Sequence, residues 1–224
     1  MNKHRAILVV DPVSSSCHFG HAIQSKGYLA VALVSVKKLS PGLRRLQKLG
    51  EFDHIVYAGN LSSALNILSK FDIYAVVPGS DFGLALADSL SDHYGLVGNS
   101  TATSLARVDK WVQKMDLKKN GVDVALGVEG GFALADKENL ACLEYPVVVK
   151  PSRGTGSRDV KLCRNYDEVV TSISGVGISE GDVGGGERRA LVEEYLDGDE
   201  FLWLPLILVG EKLNNIYALQ AMKN

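Results

Sequence analysis

Tyr145 to Cys163 reads YPVVVKPSRGTGSRDVKLC. Val147 to Val149 are β-branched and stiff at χ1, which suits a strand. The run closes on Lys150 and Pro151, and a proline has no amide to give to a ladder. A polar loop follows, then a second strand-compatible run. The pattern predicts a hairpin with Val147 to Lys150 as one strand, Asp159 to Cys163 as the other, and SRGTGSR as the turn. That loop offers backbone N–H groups at Gly154 and Gly156, hydroxyls at Ser152, Thr155 and Ser157, and guanidinium groups at Arg153 and Arg158. Such a donor set suits an anion. Pro151 stiffens the root, while the glycines let the tip fold down as a lid that keeps water from a reactive phosphate. A polar hairpin that binds nothing satisfies the same sequence, so the flanking segments decide.

Upstream lie AILVVD (Ala6 to Asp11), LAVALVS (Leu29 to Ser35), HIVYAG (His54 to Gly59) and IYAVVPG (Ile73 to Gly79), nearly continuous in apolar character. Strands covered on both faces read this way. Helix-compatible segments alternate with them: Phe19 to Lys26, Leu43 to Leu49, Leu61 to Lys70 and Phe82 to His93. The connections are too long for hairpins, so the expected architecture is α/β with a doubly wound parallel sheet. Ligands of such sheets collect beyond the carboxyl ends of the strands, where DPVSSS (Asp11 to Ser16) and PGSDFG (Pro78 to Gly83) fall. DPVSSS holds no glycine, which disfavours a dinucleotide fingerprint, and no G-x-x-x-x-G-K-[ST] occurs in the chain. Ser14 to Ser16 either cap the next helix or contact a substrate or another domain. Cys17, His18 and His21 are read as surface residues of the first helix rather than metal ligands, because no further histidine or carboxylate lies nearby in sequence.

The whole chain of 224 residues is 46% hydrophobic and 22% charged with a formal net charge of -2, an ordinary globular balance. It lacks the positive footprint of a nucleic-acid binder. Cys17, Cys142 and Cys163 are odd in number and far apart, which speaks against a disulfide framework and for a reducing compartment. The apolar run from Ala6 to Val10 is too short for a signal-peptide core, and no stretch reaches membrane-span length. A cytoplasmic protein is expected.

In TATSLARVDKWVQKMDLKKNG, Thr101 or Ser104 is expected to cap a helix with apolar positions Leu105, Val108, Val112, Met115 and Leu117. Asn120-Gly121 should end it, and Lys110 lies on its polar side. Beyond the hairpin, NYDEVVTSIS (Asn165 to Ser174) reads as a capped helix and GVGISEGDVGGGE (Gly175 to Glu187) as a flexible crossing. ALVEEYLDGDEF (Ala190 to Phe201) reads as an apolar strand leading into an acidic turn. Its carboxylates suit the amino and hydroxyl donors of adenosine; the other reading is an edge strand with solvated acids.

In this order, N-S-x-x-x-x-L-A-R-x-D-K, P-V-V-V-K-P with its glycine hairpin, and L-V-E-E-Y-L-x-G-x-E resemble the ATP-grasp superfamily. The likeness is greatest to the carboxylate-amine ligases that join amino acids or similar small acids to amines. It runs from about Ala6 to Glu200. The resemblance implies a doubly wound domain preceding the grasp (1–100), a linking helix and connector (101–145), a lid subdomain (146–190) and the start of a palm (191–224), the last making an incomplete α+β ATP-grasp domain. It implies ATP as co-substrate, with Lys110 and Lys150 on its phosphates and the hairpin from Ser152 to Arg158 closing over them. The backbone of Glu194 and Leu196 would read the adenine edge, with Glu193 beside the base and Glu200 on the ribose hydroxyls. The family reaction forms an acyl phosphate that an amine attacks, with Mg2+ neutralising the phosphates.

The chain departs from that pattern in three places. Related hairpins commonly carry a serine where Gly154 stands and a glycine where Asp159 stands. The family's magnesium-binding acid, its E-x-N pair and an arginine lie downstream of E-E-Y-L, whereas FLWLPLILVGEKLNNIYALQAMKN has Glu211 as its one carboxylate side chain. On this reading the Mg2+ ligands are missing, and the chain is a truncated, weakly active or inactive ligase. The alternatives are a non-catalytic nucleotide- or partner-binding remnant, or a biotin-carboxylase-like activity. Expected partners are small carboxylates and amines, with a homodimer as an allowed assembly and with neither nucleic acid nor membrane.

Overall fold

Side-chain alternation along β1 (Arg5–Val10) divides the N-terminal core in two. Ala6, Leu8 and Val10 face one way, Ile7 and Val9 the other. The computed structural model describes residues 5–35, 39, 41–130, 137–154, 157–176 and 189–198, and the backbone alone of 201–203 and 218–220. β1 is flanked by β2 (Leu29–Val34) and β4 (Asp72–Pro78), with β3 (His54–Tyr57) beyond β2, in the order β3-β2-β1-β4. Every pairing is parallel. On one face Leu8, Val10, Val31 and Leu33 meet Ala64 and Leu68 of α3 (Leu61–Leu68) and Ala87 and Leu90 of α4 (Leu84–His93). On the other, Val9, Ala30 and Ala32 meet Ile23 of α1 (Phe19–Gln24) and Phe52. Helices on both faces make the sheet doubly wound, as its continuous apolar strands predict.

The expected helix at Leu43 to Leu49 instead spans α2 (Pro41–Leu46). A proline fits the first helical turn, where its missing N–H is not needed. At the carboxyl ends of the strands DPVSSS and PGSDFG are knit together. Asp11 is buried, its carboxylate takes the amide of Ser35 at 2.6 Å and the Ser35 hydroxyl, and Ser80 Oγ donates to its carbonyl at 2.8 Å. Ser16 Oγ caps Val13 N at 2.8 Å and donates to Gly79 O at 2.5 Å. A Cβ on Gly83 would stand 2.4 Å from Val10 O, so only glycine lets this loop approach β1.

The second sheet is antiparallel, in the order β5-β8-β6-β7, from β5 (Gly127–Gly130), β8 (Ala190–Glu194), β6 (Val147–Pro151) and β7 (Lys161–Cys163). Val147, Val149, Cys163, Ala190 and Val192 pack on Val169, Ile173 and Val176 of α7 (Tyr166–Val176) and on Leu140 of α6 (Lys137–Leu140). The apolar residues of α7 recur at i, i+4 and i+7, one helix face. Asn165 Oδ1 takes Glu168 N at 2.9 Å, and Glu168 in turn accepts Arg164 N at 2.8 Å, which fixes the helix start. By the period of two, Lys150, Glu129 and Glu193 belong to the opposite face of the sheet. A short pair, β9 (Phe201–Trp203) and β10 (Ala218–Gln220), is antiparallel.

Between the sheets, the single helix expected from Thr101 or Ser104 is not formed. Two 3-10 turns, Thr101–Thr103 and Leu105–Arg107, precede α5 (Lys110–Lys119), whose cap is Asp109. The hydroxyl of Ser104 is drawn to the buried carboxylate of Asp88, which Arg107 Nη2 also contacts. A tertiary partner therefore takes the residue that the helix would have used as its cap. No α5 residue is fully buried, and Met115 and Leu117 are exposed, so polar ties hold this helix in place of the expected apolar side. Asn120 and Gly121, at φ 77, do end it. Among the described residues no helix is long and apolar enough to cross a membrane.

Candidate functional site

The N-terminus of α5 is tied to the root of the hairpin. Asp109 Oδ1 accepts the amides of Trp111 and Val112, each at 3.1 Å, while its Oδ2 accepts Arg153 Nε at 2.9 Å. The amide of Lys110 donates to Ser152 O at 2.8 Å, and Lys110 Nζ reaches Gly154 O at 3.0 Å. Lys110, Arg153 and Gly154 thus gather beside a helix N-terminus, where the peptide dipoles add positive potential.

One turn along α5, Lys114 shares the face of Lys110. Its Nζ donates to Ala125 O at 3.0 Å and stands 2.8 Å from Glu193 Oε2, a charge contact outside hydrogen-bond alignment. Lys150 Nζ pairs with Glu193 Oε1. Glu193 is buried on β8, which lies between β5 and β6, so the edge-strand reading of this segment fails: both edges of the strand are taken by neighbours. Gly127 lies opposite Glu193 in the register, and a Cβ there would come within 3.2 Å of Glu193 Cβ and 3.0 Å of Val192 O. The bare backbone leaves the carboxylate its room.

Ser152 is buried. Its hydroxyl donates to Glu129 Oε1 at 2.6 Å, and Arg189 Nη1 holds Glu129 Oε2 at 3.0 Å. Ser152 is therefore a strut of the hairpin root, whereas Arg153, Gly154, Ser157 and Arg158 are exposed. Ser157 and Asp159 take φ 53 and 60, left-handed values that glycine adopts without steric penalty. Gly154, at φ 140, occupies a conformation that would strain a serine. Burial pushes the Tyr145 phenol above its ordinary pKa, and Cys163, Tyr166 and Asp167 push it the same way.

Glu194 turns its carboxylate back onto the sheet: Oε1 accepts Leu126 N at 2.8 Å, and its own amide donates to Leu126 O at 2.9 Å. Of its backbone, only the carbonyl is left to face a ligand. Leu196 is 67% exposed. Thr155, Gly156 and Glu200 lie outside the described residues. A cavity of about 420 Å³ opens between α5 and the connector 121–127, with Trp111, Lys114, Met115 and Glu194 in its lining.

Of four cationic side chains, Lys114 and Lys150 meet the carboxylate of Glu193 and Arg153 that of Asp109, while Lys110 Nζ reaches the carbonyl of Gly154. The excess of positive charge and of N–H donors fits a polyphosphate. Among the described residues no three His, Cys, Asp or Glu side chains converge as metal ligands. Sequence reasoning missed Lys114, Glu129 and Gly127. The four-residue spacing from Lys110 was a signal for the first; the other two depend on strand pairings remote in sequence.

Residues 109–223 match the family described as carbamoyl-phosphate synthase L chain, ATP binding domain. Dapdiamide A synthase of Enterobacter agglomerans is 27% identical over 215 residues, covering 94% of this chain and 51% of that protein. The 2-oxoglutarate carboxylase small subunit of Hydrogenobacter thermophilus is 27% identical over 110 residues, 48% of this chain and 23% of that one. Among solved structures, an L-amino acid ligase from Bacillus licheniformis superposes with TM-score 0.64 at 18% identity, covering 90% of this chain and 49% of that one. N5-carboxyaminoimidazole synthetase from Staphylococcus aureus, complexed with ADP, gives 0.63 at 17% identity, covering 88% and 48%. The chain spans about half the length of the first of these curated relatives. The family match takes in just over half of the chain, from the α5 cap at Asp109 to Lys223: the protein belongs to this ATP-grasp family and resembles the superfamily's carboxylate-amine ligase branch.

Proposed function

We propose that this chain supplies the nucleotide site of an ATP-dependent carboxylate-amine ligase of the amino acid or dipeptide ligase type. The observation that carries the proposal is the convergence of Lys110 and Arg153 at the head of α5 with Lys114 and Lys150 around Glu193. Lys110 and Lys150 hold the phosphates, and the hairpin from Ser152 to Arg158 closes over them and excludes water. Glu193 stands beside the base. The adenine edge is read by the carbonyl of Glu194 and the backbone at Leu196, with Glu200 on the ribose. The proposed division has residues 1–100 preceding the grasp, 101–145 linking, 146–190 as lid and 191 onward as palm, so that β8 spans the last boundary.

In the proposed reaction a substrate carboxylate oxygen bonds to the γ-phosphorus as the β–γ bridging bond breaks and ADP leaves. An amine nitrogen then bonds to the acyl carbon, the phosphate departs with its electron pair, and the amine proton passes to solvent. Positioning and charge neutralisation by the lysines supply this chain's share of the catalysis. Mg2+, when bound with nucleotide, adds further neutralisation.

The test is ATP binding by calorimetry together with ADP release in the presence of pooled amino acids and amines. Binding with amine-dependent release is the expected result. Binding without release favours a nucleotide-binding remnant, and bicarbonate-dependent release favours the carboxylase chemistry of the second relative. No ATP binding at millimolar concentration removes the proposal.

A further inference from the structure

We infer that Lys114 is a positioning residue whose charge on Glu193 lets Lys150 leave that carboxylate for a nucleotide phosphate. The inference rests on the nucleotide reading above. Glu193 is held by ammonium groups from two different elements, Lys150 from the adjacent strand on Oε1 and Lys114 from α5 on Oε2. The side chains are 9% exposed for Glu193, 13% for Lys114 and 22% for Lys150, so water screens none of them well. A shielded carboxylate with one cation cannot release it without becoming an uncompensated buried charge. A carboxylate with two can release one.

The geometry says which one leaves. Lys114 Nζ is anchored a second time, to Ala125 O at 3.0 Å, which fixes it between α5 and the connector. Lys150 Nζ has Glu193 as its partner among the described residues, is the more exposed ammonium, and sits one residue before the hairpin root at Pro151. Lys150 is thus the movable cation and Lys114 the fixed one. When phosphate takes Lys150, Glu193 keeps its neutralising partner, and the ammonium returns to the same carboxylate after the nucleotide departs. A purely structural Lys114, pinning α5 to the sheet, would matter equally whether or not residue 193 carries charge.

A double-mutant cycle read by calorimetry with ATP separates the two. In the parent, Lys114→Met is expected to weaken ATP binding about tenfold or more, because Glu193 then retains Lys150. In a Glu193→Gln background the same substitution should change affinity less than about threefold, since no carboxylate needs compensation, and Lys114→Arg should stay within about threefold of the parent. Equal losses in both backgrounds, or no loss in the parent, overturn the inference. Should Lys114→Met alone not fold, the two chains carrying Glu193→Gln and the Lys114→Arg variant decide: a loss above about tenfold in either comparison overturns it, and affinities within about threefold in both sustain it. Lys150→Ala distinguishes the levels. If that variant keeps full ATP affinity, the nucleotide reading itself is wrong; if it loses affinity while Lys114→Met does not, only the role of Lys114 is wrong.

Discussion

Arg153, on the hairpin loop, donates its Nε to Asp109 Oδ2 at 2.9 Å, and the other oxygen of the same carboxylate caps α5. One aspartate therefore fixes both the start of the helix that carries Lys110 and Lys114 and the loop that carries Gly154. Removing it should loosen two elements at once. Asp109→Ala is expected to destabilise by about 2 kcal/mol, mostly through the lost cap. The half-exposed Arg153 pair adds well under about 1 kcal/mol. Asp109→Asn keeps a capping oxygen and should recover most of the loss in urea melts; if it is as unstable as Asp109→Ala, the cap is not the main contribution.

Lys150 and Lys161 lie on opposite faces of one sheet. Lys161 pairs in register with Val149, a residue of the α7 core face, whereas Lys150 reaches Glu193 on the other. Lys150→Ala is expected to weaken ATP binding roughly tenfold to a hundredfold, the range for a charge-assisted bond. Lys161→Ala should leave it within about twofold. Equal effects in titration calorimetry would take this face of the sheet out of the nucleotide site.

Asp159 stands in a backbone conformation that glycine prefers, at φ 60, and lies in the turn ahead of β7, which starts at Lys161 and not at the expected Asp159. It brings a negative charge to the hairpin turn. Asp159→Gly should relieve local strain and remove repulsion of a phosphate. ATP affinity is expected to rise about two- to fivefold at low salt, with the gain shrinking as salt is added. A salt-independent change would point to altered loop geometry instead of charge.

Gly83 and Gly42 make a matched pair. A methyl on Gly83 would meet Val10 O at 2.4 Å, whereas one on Gly42 in α2 meets nothing within 4 Å. Gly83→Ala is expected to lose about 1–3 kcal/mol to overpacking, and Gly42→Ala to gain up to about 1 kcal/mol from reduced freedom of the unfolded chain. Thermal melts of the two variants shifting in the same direction would contradict the packing described at the end of β1.

The parallel sheet was readable from sequence because strands buried on both faces carry a continuous apolar signature, as Leu29 to Val34 does. The hairpin was readable from its three valines and its glycine turn. β5 was not: GVEG has two glycines in four residues and becomes a strand only through its pairing with β8, some sixty residues away. The α5 cap was misread for a related reason. Ser104 and Asp109 are both competent caps, and the choice rests with Asp88, which draws the Ser104 hydroxyl away. Glu193 showed as an acid of interest, but the two lysines that hold it come from different elements, and no local pattern reports such a meeting.

β8 is the latest of the four strands in its sheet to be made and lies between two of the others. On the ribosome the parallel sheet has all its strands once Pro78 has emerged, but β5 and β6 lack their common neighbour until Ala190 to Glu194 follows. Over that interval of synthesis the lysines of α5 and β6 carry their charge without the carboxylate that will hold them, and two strand edges stand open to wrong partners. One five-residue segment, made after both of its neighbours, therefore joins them and supplies the carboxylate in the same event.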